Sequence, residues 1–185
     1  MTKAQLTVLA GPTAVGKGTV VAALTKRYPT LNVSVSATTR DPRPGELNGV
    51  HYYFVSAQEF DAMIERGDML EWALVHGKNK YGTPRGPVDE ALAAGKPVLL
   101  EIDLAGARQV RTNRPDAQFI FLAPPSWEEL ERRLVGRGTE GPEEQARRLA
   151  TARVELEAAS EFDHVVINDD VERAVDELAR LIGLE

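Results

Sequence analysis

Residues 11–19, GPTAVGKGT, follow the apolar run QLTVLA at 5–10 and lead into KGTVVAALTKR at 17–27, where Val20, Val21 and Leu24 recur at helical spacing. Strand, glycine loop and helix in that order allow few folds. Glycines let the backbone curl so that successive N–H groups face one point, and the helix N-terminus adds positive potential there. Gly11, Gly16 and Lys17 satisfy all but the last position of G-x-x-x-x-G-K-[ST], the loop that cradles phosphates while its lysine reaches the β- and γ-phosphates. Taken alone, the stretch is also compatible with a glycine turn and a solvated lysine; its place between strand and helix favours the phosphate reading. The usual final hydroxyl is replaced by Gly18, followed by Thr19. Gly18 has no side chain to ligate Mg²⁺, so Thr19 or water is expected to substitute.

Beyond the loop, strands and helices alternate. LNVSVSATT at 31–39 reads as a second strand, HYYFVS at 51–56 as a third, and SAQEFDAMIERGD as a serine-capped helix ending near Gly67. MLEWALV at 69–75 is a further strand, and VDEALAAGK a helix ending at Gly95. VLLEID and QFIFLAP have the almost uninterrupted apolar character of strands buried on both faces of a parallel sheet. From Ser126 the chain is mostly helical, interrupted at GRGTEGP, and HVVIND and VERAVDELARLIGL supply a last strand and helix. The fold class expected is α/β, a parallel sheet with helices on both faces and a strand-rich insertion.

A chain of 185 residues, 43 % of them hydrophobic, is enough for one compact unit. The absence of cysteine excludes a disulfide framework or a thiolate metal site. With no long apolar run or N-terminal signal pattern, the expected location is the cytoplasm. A net charge of −6 argues against non-specific binding to nucleic acid or an acidic membrane. An anionic ligand must therefore meet a local concentration of arginine.

That concentration is SVSATTRDPRPGELNGVHYYF, which gathers Ser36, Thr39, Arg40, Arg43, Glu46, Tyr52 and Tyr53 in one non-helical stretch. Guanidinium forks hold phosphate bidentately. Read by itself, the stretch also fits an ordinary basic loop. With the blocks GPTAVGKGT, MLEWALVHGKNKYGT, LLEIDLAG, FIFLAPPS, RRLVGRGTE, RRLATARVELE and VVINDD in this order, however, the sequence resembles the guanylate kinases over essentially its whole length. The resemblance implies a P-loop NTPase-type core at about 4–33, 87–125 and 157–185, a GMP-binding insertion at about 34–86 and a helical lid at about 126–156.

It also implies site roles. Gly11, Pro12, Thr13, Ala14, Val15, Gly16, Lys17, Gly18 and Thr19 would hold the ATP phosphates, with Arg133, Asn168 and Asp169 bordering the nucleotide. Arg40, Arg43, Tyr52 and Tyr81 would hold the GMP phosphate, while Ser36, Glu71 and Thr83 read the base. Guanine offers N1–H and N2–H₂ donors to a carboxylate, whereas adenine presents an acceptor at N1, so Glu71 would favour one and repel the other. Asp103, at the end of the strand VLLEID, would contact the GMP side, and with Glu101 would lie near Mg²⁺ held mainly by phosphates and water. Lys17, Arg137 and Arg148 are the expected catalytic cations, the two arginines on the arms of a glycine-hinged flap. Arg132 and Arg147 are expected to lie on solvated helix faces.

Thr13 and Ala14 depart from the family's frequent serine and glycine, and because alanine disfavours positive φ the loop is expected to be right-handed or extended at Ala14. GKNKY at 77–81 looks one residue longer than in some relatives, which bears on the alignment of Tyr81 and Thr83. The activity implied is transfer of the γ-phosphoryl of MgATP to GMP or dGMP. The alternatives are a non-catalytic guanylate-kinase-like binding module and a kinase for another nucleoside monophosphate. The former typically has a degraded phosphate loop.

Overall fold

The computed structural model describes residues 3–136, 138 and 140–185. In chain order the elements are β1 (Leu6–Ala10), α1 (Lys17–Arg27), β2 (Asn32–Val33), β3 (Ala37–Thr38), β4 (Tyr53–Phe54), α2 (Ala57–Glu65), β5 (Met69–Val75), β6 (Asn79–Pro84), α3 (Arg85–Ala93), β7 (Val98–Glu101), α4 (Leu104–Asn113), β8 (Gln118–Ala123), α5 (Trp127–Val135), α6 (Pro142–Glu157), β9 (His164–Ile167) and α7 (Val171–Ile182). A short 3₁₀ turn at Ala158–Glu161 follows α6.

The core sheet has the order β2-β7-β1-β8-β9, with every pairing parallel. Period-two alternation sends its apolar side chains to two cores. Leu9, Leu99, Ile120 and Val166 meet Val20 and Leu24 of α1 and Val175 and Leu178 of α7 on one face. Leu6, Val8, Leu100 and Phe119 meet Val88 of α3 and Ala107 and Val110 of α4 on the other. Burying such a side chain contributes about 1.5–3 kcal/mol, which is why the strands need apolar residues at nearly every position. The expected α/β class, with helices on both faces, is what forms.

The segment 31–39 is not one strand. Asn32–Val33 pairs with β7 in the core sheet, whereas Ala37–Thr38 joins a second sheet of order β4-β3-β6-β5. Ser34–Ser36 carry the chain between them, because one strand cannot satisfy ladders in two sheets without a break. HYYFVS contributes strand only at Tyr53–Phe54. The second sheet is antiparallel at β3–β6 and β5–β6, and α2, capped by the Ser56 hydroxyl accepting from Glu59 N–H at 3.0 Å, buries Phe60 beneath it with Ala37 and Met69. The helices α5 and α6 pack through Leu130, Leu134 and Ala152. Among the described residues, no helix is long and apolar enough to cross a membrane.

Candidate active site

The glycine loop joins the buried end of β1 to the first turn of α1, at the carboxyl ends of the core strands, where open parallel sheets hold their ligands. Ala14 has φ 68°, so the expectation of a right-handed or extended backbone there is wrong. Left-handed backbone costs a non-glycine residue about 1–2 kcal/mol. The tight path from Pro12, whose carbonyl accepts from Val15 N–H at 3.2 Å, to the cap at Gly16 overrides that local preference. Packing of Ala14 against the Leu130, Leu134 and Ala152 cluster offsets part of the cost.

The next carbonyl is pinned from outside. Val15, fully buried, accepts from Asn168 Nδ2 at 2.8 Å and Arg133 Nη1 at 3.2 Å. These bonds orient the peptide between Val15 and Gly16, so Asn168 and Arg133 brace the loop. Gly16 has φ 96°, and a Cβ there would stand 2.9 Å from Asn168 Nδ2, so both backbone and space demand glycine. Asp169 instead pairs with Arg173 at 2.5 Å, and Asp170 caps α7.

Lys17 Nζ donates to the Gly11 carbonyl at 2.6 Å. Burial pushes the Lys17 ammonium below its ordinary pKa, while Glu155, Glu101 and Asp103, in decreasing order, oppose that push. Glu155 is a site residue the sequence did not single out; it lies on α6, partly buried, and burial raises its own pKa against the pull of Lys17 and the Thr13 amide. At Gly18 a Cβ would stand 3.9 Å from Glu101 Oε1. Thr19 is exposed on α1. Beside the loop, a cavity of about 390 Å³ is lined by Thr13, Glu144, Arg147, Arg148 and Thr151. Arg147 borders it and is exposed, in keeping with the solvated helix face expected for it. Arg148 pairs with Glu140 at 2.5 Å and Glu144 at 3.5 Å. Arg137 lies outside the described residues. A larger groove of about 470 Å³, with Lys3, Asp89 and Arg114 in its walls, lies at the amino ends of the strands, away from the phosphate loop.

On the second sheet, Arg40 is gripped by Glu46 through two bonds of 2.9 and 3.0 Å, and its guanidinium lies 5.3 Å from the Tyr52 ring centroid. Tyr52 meets Tyr81 edge-on at 5.9 Å. Glu46 also accepts from the Arg43 N–H at 2.7 Å, so one carboxylate organises both arginines, and Arg40 holds its pKa down to about 2. The R-x-x-R-x-x-E spacing carried that signal. Ser36 lies half-buried on the link between the sheets, its carbonyl accepting from Tyr53 N–H at 2.8 Å.

Glu71 and Thr83 face each other across β5 and β6, and Thr83 Oγ1 donates to Glu71 Oε1 at 2.7 Å. Both are buried. Burial raises the Glu71 pKa, Asp103 adds to the rise, and the Thr83 bond opposes it. Asp103 caps α4, its Oδ1 accepting from Gly106 N–H at 2.8 Å. A Cβ on Gly106 would stand 3.1 Å from both Asp103 Oδ1 and Glu71 Oε2, so the two carboxylates flank that glycine. The chain thus brings Glu71, Thr83 and Asp103 together on one side, and Lys17, Glu101 and Asp103 on the other.

A family model described as guanylate kinase matches residues 3–185. A guanylate kinase of Leifsonia xyli subsp. xyli is 61 % identical over 177 residues, 96 % of this chain and 70 % of the relative. One from Thermobifida fusca is 61 % identical over 179 residues, 97 % and 91 % of the two chains. The crystal structure of guanylate kinase from Anaplasma phagocytophilum superposes with a TM-score of 0.74 at 32 % identity, covering 99 % of this chain and 86 % of that one. A shikimate kinase from Bacteroides thetaiotaomicron, at 14 % identity and a TM-score of 0.51 over 97 % of this chain and 98 % of its own, shares the fold alone. With a phosphate loop braced as described and a family match spanning nearly every residue, the chain belongs to the guanylate kinase family.

Proposed function

We propose that this protein is a guanylate kinase that reversibly transfers the γ-phosphoryl of ATP to GMP or dGMP, giving ADP and GDP or dGDP. The observation that carries the choice of base is Glu71, a buried carboxylate held by Thr83 Oγ1 on the second sheet. It suits the two donors of guanine and repels N1 of adenine, which disfavours a kinase for another nucleoside monophosphate. Retention of Gly11, Gly16 and Lys17 in the loop disfavours a non-catalytic binding module.

The loop from Gly11 to Thr19 receives the ATP phosphates on its N–H groups, and Lys17 leaves the Gly11 carbonyl to reach the β- and γ-phosphates. Arg40, Arg43, Tyr52 and Tyr81 hold the phosphate of GMP, while Ser36, Glu71 and Thr83 read its base. Asp103 orients this side through the cap of α4. An oxygen of the GMP phosphate attacks the γ-phosphorus as the bond to the β-bridging oxygen breaks, so no covalent enzyme intermediate forms. Phosphoryl transfer asks mainly for positioning and charge stabilisation, which Lys17, Arg137 and Arg148 supply. Arg133 and Asn168 keep the loop shaped, and Asp169 borders the adenine. Residues 34–86 act as the GMP-binding unit, 126–156 as the lid, and the remainder as the core.

No group of three or more metal-type ligands gathers among the described residues. Mg²⁺ would be held mainly by the phosphates and water, with Glu101, Asp103 and Thr19 the residues near enough to meet its water shell, and it would supply neutralisation of charge on the β- and γ-phosphates. The cysteine-free composition supports a cytoplasmic setting, and the net charge of −6 supports small nucleotides rather than nucleic acid or membrane as partners. Turnover with MgATP against GMP, dGMP, AMP, UMP and CMP tests the reading. GMP and dGMP should dominate; preference for another base would overturn the assignment, and GMP binding without turnover would favour the binding module.

A further inference from the structure

β5 is an edge strand of the second sheet. Alternate residues of a strand direct their main-chain groups to opposite sides. Glu71 lies opposite Thr83 of β6, while the main-chain groups of Leu70 and Trp72 find partners beyond the sheet. An edge strand ordinarily leaves such groups to solvent or to another strand. Here α4 takes that place with side-chain amides. Gln109 Oε1 accepts from Trp72 N–H at 3.0 Å, and Gln109 Nε2 donates to the Trp72 carbonyl at 2.9 Å. Asn113 Nδ2 donates to the Leu70 carbonyl at 2.8 Å. The primary amide of Gln109 therefore pairs with Trp72 as a neighbouring strand residue would.

Gly106, Gln109 and Asn113 share one face of α4 by their i, i+3, i+7 spacing. The same face thus holds the backbone on both sides of Glu71 and presents its residue without a side chain beneath the Glu71 carboxylate, 3.1 Å from Oε2 to the position of a Cβ. Asp103 fixes the start of this helix. β5 and α4 consequently set Glu71 with little freedom along the strand or toward the core. A rotatable carboxylate alone does not discriminate between bases; its two oxygens must meet two donors at fixed positions.

We propose that Gln109, with Asn113 as its second anchor, is a positioning residue for base specificity: its amide locks the strand beside Glu71 and so sets the carboxylate that meets guanine. The proposal rests on the reading of Glu71 as the base-recognising group. Without the Gln109 amide, the Trp72 N–H and carbonyl lose their partners, the strand edge loosens, and both acceptor bonds to guanine weaken together. The phosphate loop makes none of these bonds and is unaffected.

The test compares GMP and AMP as acceptors in wild type, Gln109→Ala, Gln109→Glu, Glu71→Gln and the double variant Gln109→Ala/Glu71→Gln, with thermal unfolding alongside. Gln109→Ala should raise KM for GMP and lower the GMP-to-AMP ratio of kcat/KM about tenfold, with KM for ATP unchanged. Gln109→Glu, which keeps the acceptor for Trp72 N–H but sets a carboxylate oxygen against the Trp72 carbonyl, should lower the ratio at least as far as Gln109→Ala, and it reads the same ratio if the alanine variant does not fold. In the Glu71→Gln background, Gln109→Ala should change the ratio less than twofold. A folded Gln109 variant with reduced Tm and an unchanged ratio would show that the amide serves the fold alone, overturning the proposal while Glu71→Gln still lowers the ratio. If Glu71→Gln itself leaves the ratio unchanged, the reading of the base fails and the proposal falls with it.

Discussion

Gly106→Ala should lower activity while leaving stability nearly unchanged. Gly106 is in the first turn of α4, and alanine is favoured over glycine inside a helix by up to about 1 kcal/mol. The added Cβ would stand 3.1 Å from Glu71 Oε2 and Asp103 Oδ1, and 3.4 Å from Ile102 Cβ. Ordinary contact begins near 3.4 Å, so each carboxylate oxygen must retreat by about 0.3 Å. A misplacement of about 1 Å can cost about a hundredfold in rate, and a third of that displacement scales to roughly a two- to tenfold loss. We expect kcat/KM for GMP to fall by that factor while Tm moves no more than about 4 °C in either direction, since helix preference and crowding oppose each other. Steady-state kinetics and calorimetry on one preparation would measure both. An unchanged kcat/KM for GMP in the folded variant would refute the reasoning, because it would mean that Glu71 has slack where two fixed acceptor bonds require none. A rise in KM for ATP with KM for GMP unchanged would place the crowding on the phosphate side instead.

Lys17→Met should fold, since it removes a buried ammonium whose burial is unfavourable, and should lower kcat by about a hundredfold or more with GMP affinity retained; titration calorimetry beside a rate assay checks it. Glu155→Gln should tighten binding of a non-hydrolysable ATP analogue several-fold in the absence of GMP, because it removes the carboxylate that bears most strongly on Lys17; weaker binding would refute that placement. The acid limb of kcat/KM for GMP should begin above the ordinary carboxylate value of 4.5, because Glu71 must be ionised to accept from guanine and burial raises its pKa. The sign for stability is opposite: a pKa raised in the fold means that protonating Glu71 stabilises the protein as pH falls, so affinity for GMP should be lost before the fold is, and Glu71→Gln should remove the Glu71 part of that limb while leaving the part set by protonation of the GMP phosphate, near pH ~6.

The phosphate loop was readable because its signal is local: a buried strand, two glycines, a lysine and a helical repeat within a few residues. Ser56 capping α2 was readable for the same reason. The break between β2 and β3 was not, because the alternating Val-Ser-Val-Ser run satisfies strand periodicity in either sheet. β6 and α4 also escaped detection, as each contains a glycine that resembles punctuation. Those glycines have another cause: a Cβ at Gly82 would stand 2.7 Å from the Glu71 carbonyl, and one at Gly106 would crowd the Glu71 carboxylate. The close approaches that build the site are what obscured its elements. At Ala14 the closure of the loop overrides a local preference that sequence alone displays, and Gln109 and Glu155 meet their partners across distances in sequence that no spacing rule covers.

The charge arrangement follows from the same economy of contacts. A protein of net charge −6 that binds two polyanions needs cations held in place before the ligand arrives. Here Arg40 is held by Glu46, Arg148 by Glu140, Arg133 by Glu129, and Lys17 is under the influence of Glu155. A phosphate entering such a site must share or take over a cation already paired with a carboxylate. Part of the attraction is then spent on exchange, while the guanidinium planes are pre-oriented for bidentate contact. Binding by exchange changes the local charge less than binding to bare cations does, and salt screens both the attraction to the arginines and the repulsion from the acidic surface. KM for GMP should therefore change less than threefold as ionic strength is raised through the physiological range. A steep loss of affinity with salt would mean that the arginines meet the phosphate unpaired, and that Glu46 organises them only in the empty site.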